Sequence, residues 1–119
     1  MICDYFLRSS PALSEEELKK FEPWLQGWAM PSLWSAEQFI EGLSANGFKN
    51  IQIIDLSEKV QKSFRRLERI SKFFNPLAKL NAKLGLISKD RYNNGYGSIV
   101  ACALLKRKLW RYQVVVAEA

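Results

Sequence analysis

Residues 36–56, AEQFIEGLSANGFKNIQIIDL, narrow the folds open to this chain more than any other stretch. Ser35 with Gln38 three positions on makes a capping box, Phe39, Ile40 and Leu43 share one helix face, and Gly47 supplies a left-handed stop. The run that follows, with Phe48, Ile51, Ile53 and Ile54, is rich in β-branched residues and is predicted as a strand. Helix, glycine, strand in direct succession is the pattern of an α/β unit.

The remaining segments fit the same class. Residues 2–7 are apolar and aromatic apart from Asp4 and are bounded by RSSP, which predicts a strand with most of its surface covered. Ser14 and Glu17 form a second capping box, so a helix is expected from about residue 14. Its apolar residues Leu18, Phe21, Leu25 and Trp28 recur at helical steps, but Pro23 should divide the segment into two short pieces. Ser57 is expected to cap a further helix with an apolar stripe of Val60, Phe64, Leu67, Ile70 and Phe74. Asn75-Pro76 should break that helix, and Leu77, Leu80 and Leu84 then begin a second stripe. RYNNGYGS is predicted as a turn, Ile99, Val100, Ala103 and Leu104 as a helix, and LWRYQVVVAEA as the strongest strand in the chain.

At 119 residues, with 48% hydrophobic and 25% charged residues, the chain fits one globular domain, 1–119, in which 57–107 is a mainly helical insert. Cys3 and Cys102 lie in apolar runs without paired spacing, so both are predicted as small buried thiols rather than a disulfide or a zinc site. The chain contains no histidine, which removes the commonest general base and metal ligand. Without a secretory leader or an apolar run of about 18 residues, a cytoplasmic protein with no membrane span is expected. Phosphate-cradle, nucleophile-elbow and zinc-protease motifs are absent, and NGYG is read as a turn because no strand precedes it.

The net charge of +6 is concentrated. Between Glu58 and Lys89 nine basic residues face two acidic ones, a balance of +7. This helix is read first as a solvated face, with membrane-surface contact as the second reading and nucleic acid as the third, because Phe64 and Phe74 fall on the apolar stripe and are expected to be buried. The aromatic group Trp24, Trp28, Met30 and Trp34 suits either a packed core or the wall of an apolar pocket.

Three stretches taken in order, MICDYFLRSS, then WAMPSLWSAEQFIEGLSANGFKNIQIIDLSEKV, then LWRYQVVVAEA, resemble the C-terminal half of class I methyltransferases that use S-adenosylmethionine, in the branch that includes tocopherol and sterol methyltransferases. The resemblance implies a Rossmann-like sheet remnant in which residues 1–7, 51–56 and 110–117 correspond to the fifth, sixth and seventh strands, ordered five, seven, six with the last antiparallel, and a helical lid. It places the cofactor site, with its glycine-rich turn and acidic residues, in a half that precedes this sequence. S-adenosylmethionine is therefore the expected cofactor of the full-length family, and none is expected for this chain alone.

By the same resemblance, Tyr5, Phe6, Trp28, Met30, Trp34 and Tyr92 are substrate-pocket candidates facing a lipophilic methyl acceptor. No catalytic, cofactor-binding or metal-binding residue is expected within the chain. An unpaired edge on the first strand is expected to take a complementing N-terminal half. The rival reading is a non-catalytic interaction module that forms a homodimer or engages a partner through that edge.

Overall fold

The computed structural model describes residues 1–9 and 11–119. The elements run β1 (Ile2–Leu7), α1 (Glu15–Lys19), α2 (Glu22–Gly27), α3 (Ala36–Ala45), β2 (Lys49–Asp55), α4 (Ser57–Lys83), α5 (Lys89–Lys106) and β3 (Trp110–Glu118). The three strands form one sheet in the order β1-β3-β2, and β3 is antiparallel to both neighbours. β1 and β2 are therefore parallel to each other, and both end where β3 begins. The chain is a mixed α/β protein in which the last strand sits between the first two.

Backbone direction on β1 follows from two bonds. The Leu7 amide donates outward to the Trp34 carbonyl at 2.9 Å, and the Arg8 amide donates inward to the Leu109 carbonyl at 3.0 Å. Alternation along the strand then turns the amides of Ile2, Asp4 and Phe6 toward β3 and those of Cys3 and Tyr5 away from it. The Tyr5 amide is met by the Asp4 carboxylate at 2.8 Å. Among the described residues, no strand pairs with this outer edge beyond the single bridge from Leu7 to Ser35.

Side-chain alternation divides the sheet between two cores. On one face Phe6 and Val115 pack with Ala36, and Phe39, Leu43 and Ile51 close the cluster from α3 and β2. On the other, Trp110 joins Phe21, Trp24, Ala101, Leu104, Leu105 and Leu109, with Tyr5, Phe64 and Tyr112 packed against them. Tyr5 lies at the hub, its ring centroid 5.4 Å from Trp110, 5.5 Å from Trp24 and 5.9 Å from Trp28. Near-perpendicular packing of this kind matches positive ring edges to negative faces. Trp110 Nε1 donates to the Ala101 carbonyl at 2.9 Å, whereas Trp24 Nε1 is buried with no acceptor among the described residues.

α2 and α5 approach closely through glycine. A Cβ on Gly97 would stand 3.2 Å from the Pro23 carbonyl oxygen, and one on Gly27 would collide with the Asn93 carbonyl. The segment RYNNGYGS is thus the first half of α5 and not a turn: Ser88 caps that helix by accepting the Arg91 amide, and Gly97 lets α2 pack closely while Gly95 faces open space. A glycine-rich string on a helix face and one in a loop look alike until the neighbour is known.

Four helices end in the same way. The second amide past the helix cap bonds back five residues in Met30 to Leu25, Phe48 to Leu43, Leu86 to Asn81 and Leu109 to Leu104. This closure requires a left-handed residue. Gly47 (φ +86°) and Gly85 (φ +74°) meet it freely, but Ala29 (φ 53°) and Lys108 (φ 57°) meet it at a steric cost.

The capping boxes at Ser14–Glu17 and Ser35–Gln38 are both formed, and the first helical region is two pieces, with Pro23 at the start of the second. Other expectations are corrected. Cys3 is exposed rather than buried, as is the whole first half of β1, because only Phe6 and its neighbours lie beneath the helices. Ser57 is the first residue of α4 and not its cap: Asp55 Oδ1 accepts the Ser57 amide at 2.8 Å, which frees the Ser57 hydroxyl to accept the Tyr112 amide at 3.0 Å. Pro76 does not break α4: although a proline costs a helix one amide bond and about 3 kcal/mol, α4 runs through it to Lys83, with α5 packed alongside. Finally, the apolar stripe of α4 is not buried along its length; Phe64 joins the core, but Ile70 and Phe74 are exposed.

Glu68 is the one charged residue of α4 that is buried. Its two carboxylate oxygens take Lys106 at 2.6 Å and Lys72 at 2.7 Å, and these bonds hold the carboxyl below the usual glutamate range against the opposing effect of burial. The pair to Lys106 ties α4 to the end of α5. Beside it, the Cys102 thiol donates to the Phe64 carbonyl at 3.0 Å, and burial pushes its pKa up to about 11, so it stays a neutral thiol.

Candidate functional site

Open α/β sheets gather ligands beyond the carboxyl ends of their parallel strands. In this chain that end carries a cleft on each face of the sheet. The larger, about 580 Å³, lies between the start of α4 and the α5–β3 corner, with Asp55, Ser57, Glu58 and Lys59 on one wall and Lys108 and Arg111 on the other. The smaller, about 150 Å³, lies on the α3 face among Arg8, Ser9, Glu37 and Gln113. Arg111 borders both.

Local sequence explains the arrangement. Asp55 ends β2 and turns back to cap α4, which leaves its second oxygen 3.5 Å from the Arg111 guanidinium. Burial alone would raise the Asp55 carboxyl, but the Ser57 hydrogen bonds and the Arg111 charge hold it below the usual aspartate range. Across the sheet the Glu37 carboxyl is lowered first by Ser9 and then by its own helix-start amide. Both carboxylates are therefore ionised near neutral pH. Lys108 reaches the larger cleft from the left-handed backbone position that closes α5.

This set of groups can bind and orient a polar or charged molecule. Among the described residues no group of three or more metal-ligating side chains converges. No helix of the described residues is long and apolar enough to cross a membrane.

The six sequence-predicted pocket residues do not share one cavity. Tyr5 and Trp28 stand edge to face in the aromatic cluster, where burial first, then Tyr112 and Asp4, raise the Tyr5 phenol above the usual tyrosine range. Trp28 Nε1 donates to the Ser98 hydroxyl at 3.3 Å. Met30 packs at the rim of the cluster and lines an open groove of about 420 Å³ with Leu25, Ala29, Pro31 and the polar Glu22 and Gln26. Phe6 points to the opposite face, Trp34 is 53% exposed beside Gly42, and Tyr92 stacks on Tyr96 along α5.

Trp24, which the sequence left open between core and pocket, is core, at 0% exposure. The cleft residues Lys108 and Arg111 were missed, although the alternation of LWRYQ sets Arg111 opposite Trp110 and Tyr112. No sequence signal marks Lys108, whose left-handed backbone emerges only from the helix closure.

A lysine held left-handed should be relieved by glycine. Lys108→Gly is expected to raise stability by about 1 kcal/mol, read as a higher urea midpoint with unchanged slope, and to weaken any anion bound in the larger cleft. A scan of protein-family models and a search of curated proteins each return no match to this chain.

Proposed function

We propose that the chain is the acceptor-side, C-terminal portion of an S-adenosylmethionine-dependent small-molecule methyltransferase, inactive without a donor half. The observation that carries this reading is the strand order. A last strand inserted antiparallel between two parallel ones is what the resemblance implies for strands five, seven and six. The open outer edge of β1 is where a parallel fourth strand would add, bringing the donor site beside the carboxyl ends of β1 and β2. The open groove at Met30, where Leu25, Ala29 and Pro31 stand beside Glu22 and Gln26, is the surface where a lipophilic acceptor with a polar group would lie.

The residues themselves favour no donor site here. β1 is followed by RSSPALS and β2 by LSEKV, neither of which offers the close backbone amides that a dinucleotide-like cofactor needs. Calorimetric titration of S-adenosylmethionine into the 119-residue chain is expected to give no micromolar binding. The reading frame as it stands in the genome is expected to transfer labelled methyl from S-adenosylmethionine to a lipophilic acceptor. Micromolar binding by the chain alone, or neither binding nor transfer by the whole reading frame, would overturn the proposal.

A further inference from the structure

The C-terminal half of α4 carries an apolar ridge that nothing among the described residues covers. Ile70, Phe73, Leu77, Leu80 and Leu84 recur at steps of three and four, and their exposures run from 47% at Ile70 to 78% at Phe73. Phe74 adds a second exposed ring, 5.1 Å from Phe73 and perpendicular to it. The opposite side of the helix, marked by the half-buried Ser71, Ala78 and Ala82, lies along α5 and holds the ridge outward. At about 1.5 Å per residue the 27 residues of α4 reach most of the 53 Å long axis of the molecule, so the ridge is a projecting flank.

Beside it runs a basic ridge. Arg65, Arg69, Lys72, Lys79 and Lys83 each fall on the row one residue before the apolar one. The only carboxylate in that stretch, Glu68, is already occupied by Lys72 and Lys106. The surface therefore offers apolar depth and positive charge side by side.

We infer that this flank of α4 docks on the surface of an anionic lipid bilayer. An interfacial helix of this kind sets its apolar row at the boundary between headgroups and acyl chains and its basic row among lipid phosphates and carboxylates. Charge selects the occupant. A second copy would bring two like-charged ridges together, and a duplex nucleic acid would satisfy the lysines while leaving Phe73 and Leu77 in water. The inference stands on exposure and charge and does not rest on the methyltransferase reading.

Flotation of the full chain with phosphatidylcholine vesicles, with and without phosphatidylserine, tests it. Binding is expected to the phosphatidylserine vesicles, weakening as salt is raised. Phe73→Ser with Leu77→Ser, both at exposed positions, is expected to lower that affinity by about tenfold or more. Lys79→Gln with Lys83→Gln provides an independent arm that leaves the apolar ridge intact and is expected to lower affinity for the anionic vesicles alone. Absence of vesicle binding, binding insensitive to both variants, a dimer in sedimentation that the serine variant dissolves, or tighter binding to duplex DNA would each overturn the inference.

Discussion

Trp110→Ala is expected to lower the unfolding free energy by about 3–5 kcal/mol, the range for deleting a large aromatic from a packed core. Trp110 is fully buried and stands 4.9 Å from Trp24, 5.2 Å from Phe64 and 5.4 Å from Tyr5, so one deletion removes ring contacts to α2, α4 and β1 at once. It also removes the indole donor to Ala101, a bond that fixes the start of β3 against α5. A domain of this size has roughly 5–15 kcal/mol in hand, so the variant sits near its folding threshold. Urea denaturation followed by tryptophan fluorescence measures the loss as a lower midpoint. Trp110→Phe keeps a ring but not the donor and is expected to lose only about 1–2 kcal/mol; equal losses in the two variants would show that the ring contacts are not what matters.

Gly27→Ala is expected to be the most damaging single methyl in the molecule. The new carbon would enter the Asn93 carbonyl, a backbone group that cannot rotate aside, so α2 must lift from α5. Overpacking costs about 1–3 kcal/mol where side chains can adjust, and the rigid neighbour puts this site at the upper end or beyond. Gly95→Ala is the internal control, because a Cβ at Gly95 meets nothing within 4 Å. In the interior of α5 that alanine is expected to stabilise by about 0.5–1 kcal/mol. Thermal unfolding of the pair should move the midpoint in opposite directions, and a shift of the same sign in both would refute the close helix contact as the reason for Gly27.

Local chemistry was legible in the sequence wherever a short motif decides the conformation. Ser14 and Ser35 announce helix starts with their partners three residues on, Gly47 announces a stop, and the β-branched runs of β2 and β3 announce strands. What was not legible depends on neighbours distant in sequence. RYNNGYGS looks like a turn because glycine and asparagine favour turns, and only the proximity of Pro23 and Trp24 to Gly97, and of Gly27 to Asn93, shows that the segment is a helix face packed on α2. Pro76 looks like a helix end until α5 is seen to support both halves of α4. Cys3 looks buried because its neighbours are apolar, yet it lies on an edge strand beyond the reach of the helices. The site was less legible still: Tyr5 and Trp28 do meet and Met30 packs at the rim of the same cluster, but periodicity does not reveal that Phe6 faces the opposite core or that Tyr92 spends its ring on Tyr96.

The central physical claim is that β1 ends the sheet on one side, paired with β3 inward and, from Ile2 to Phe6, joined by no strand outward among the described residues, ready for a further parallel strand. Residue-resolved amide exchange on the chain in solution tests this most directly. Slow exchange is expected at Asp4 and Phe6, whose amides face β3, and fast exchange at Cys3, whose amide faces out; the outward Tyr5 amide already meets the Asp4 carboxylate. Protection of Cys3 would mean that the edge is already filled, as in a dimer joined through β1, and loss of protection at Asp4 and Phe6 would mean that β3 is not its neighbour. Either result would contradict the account.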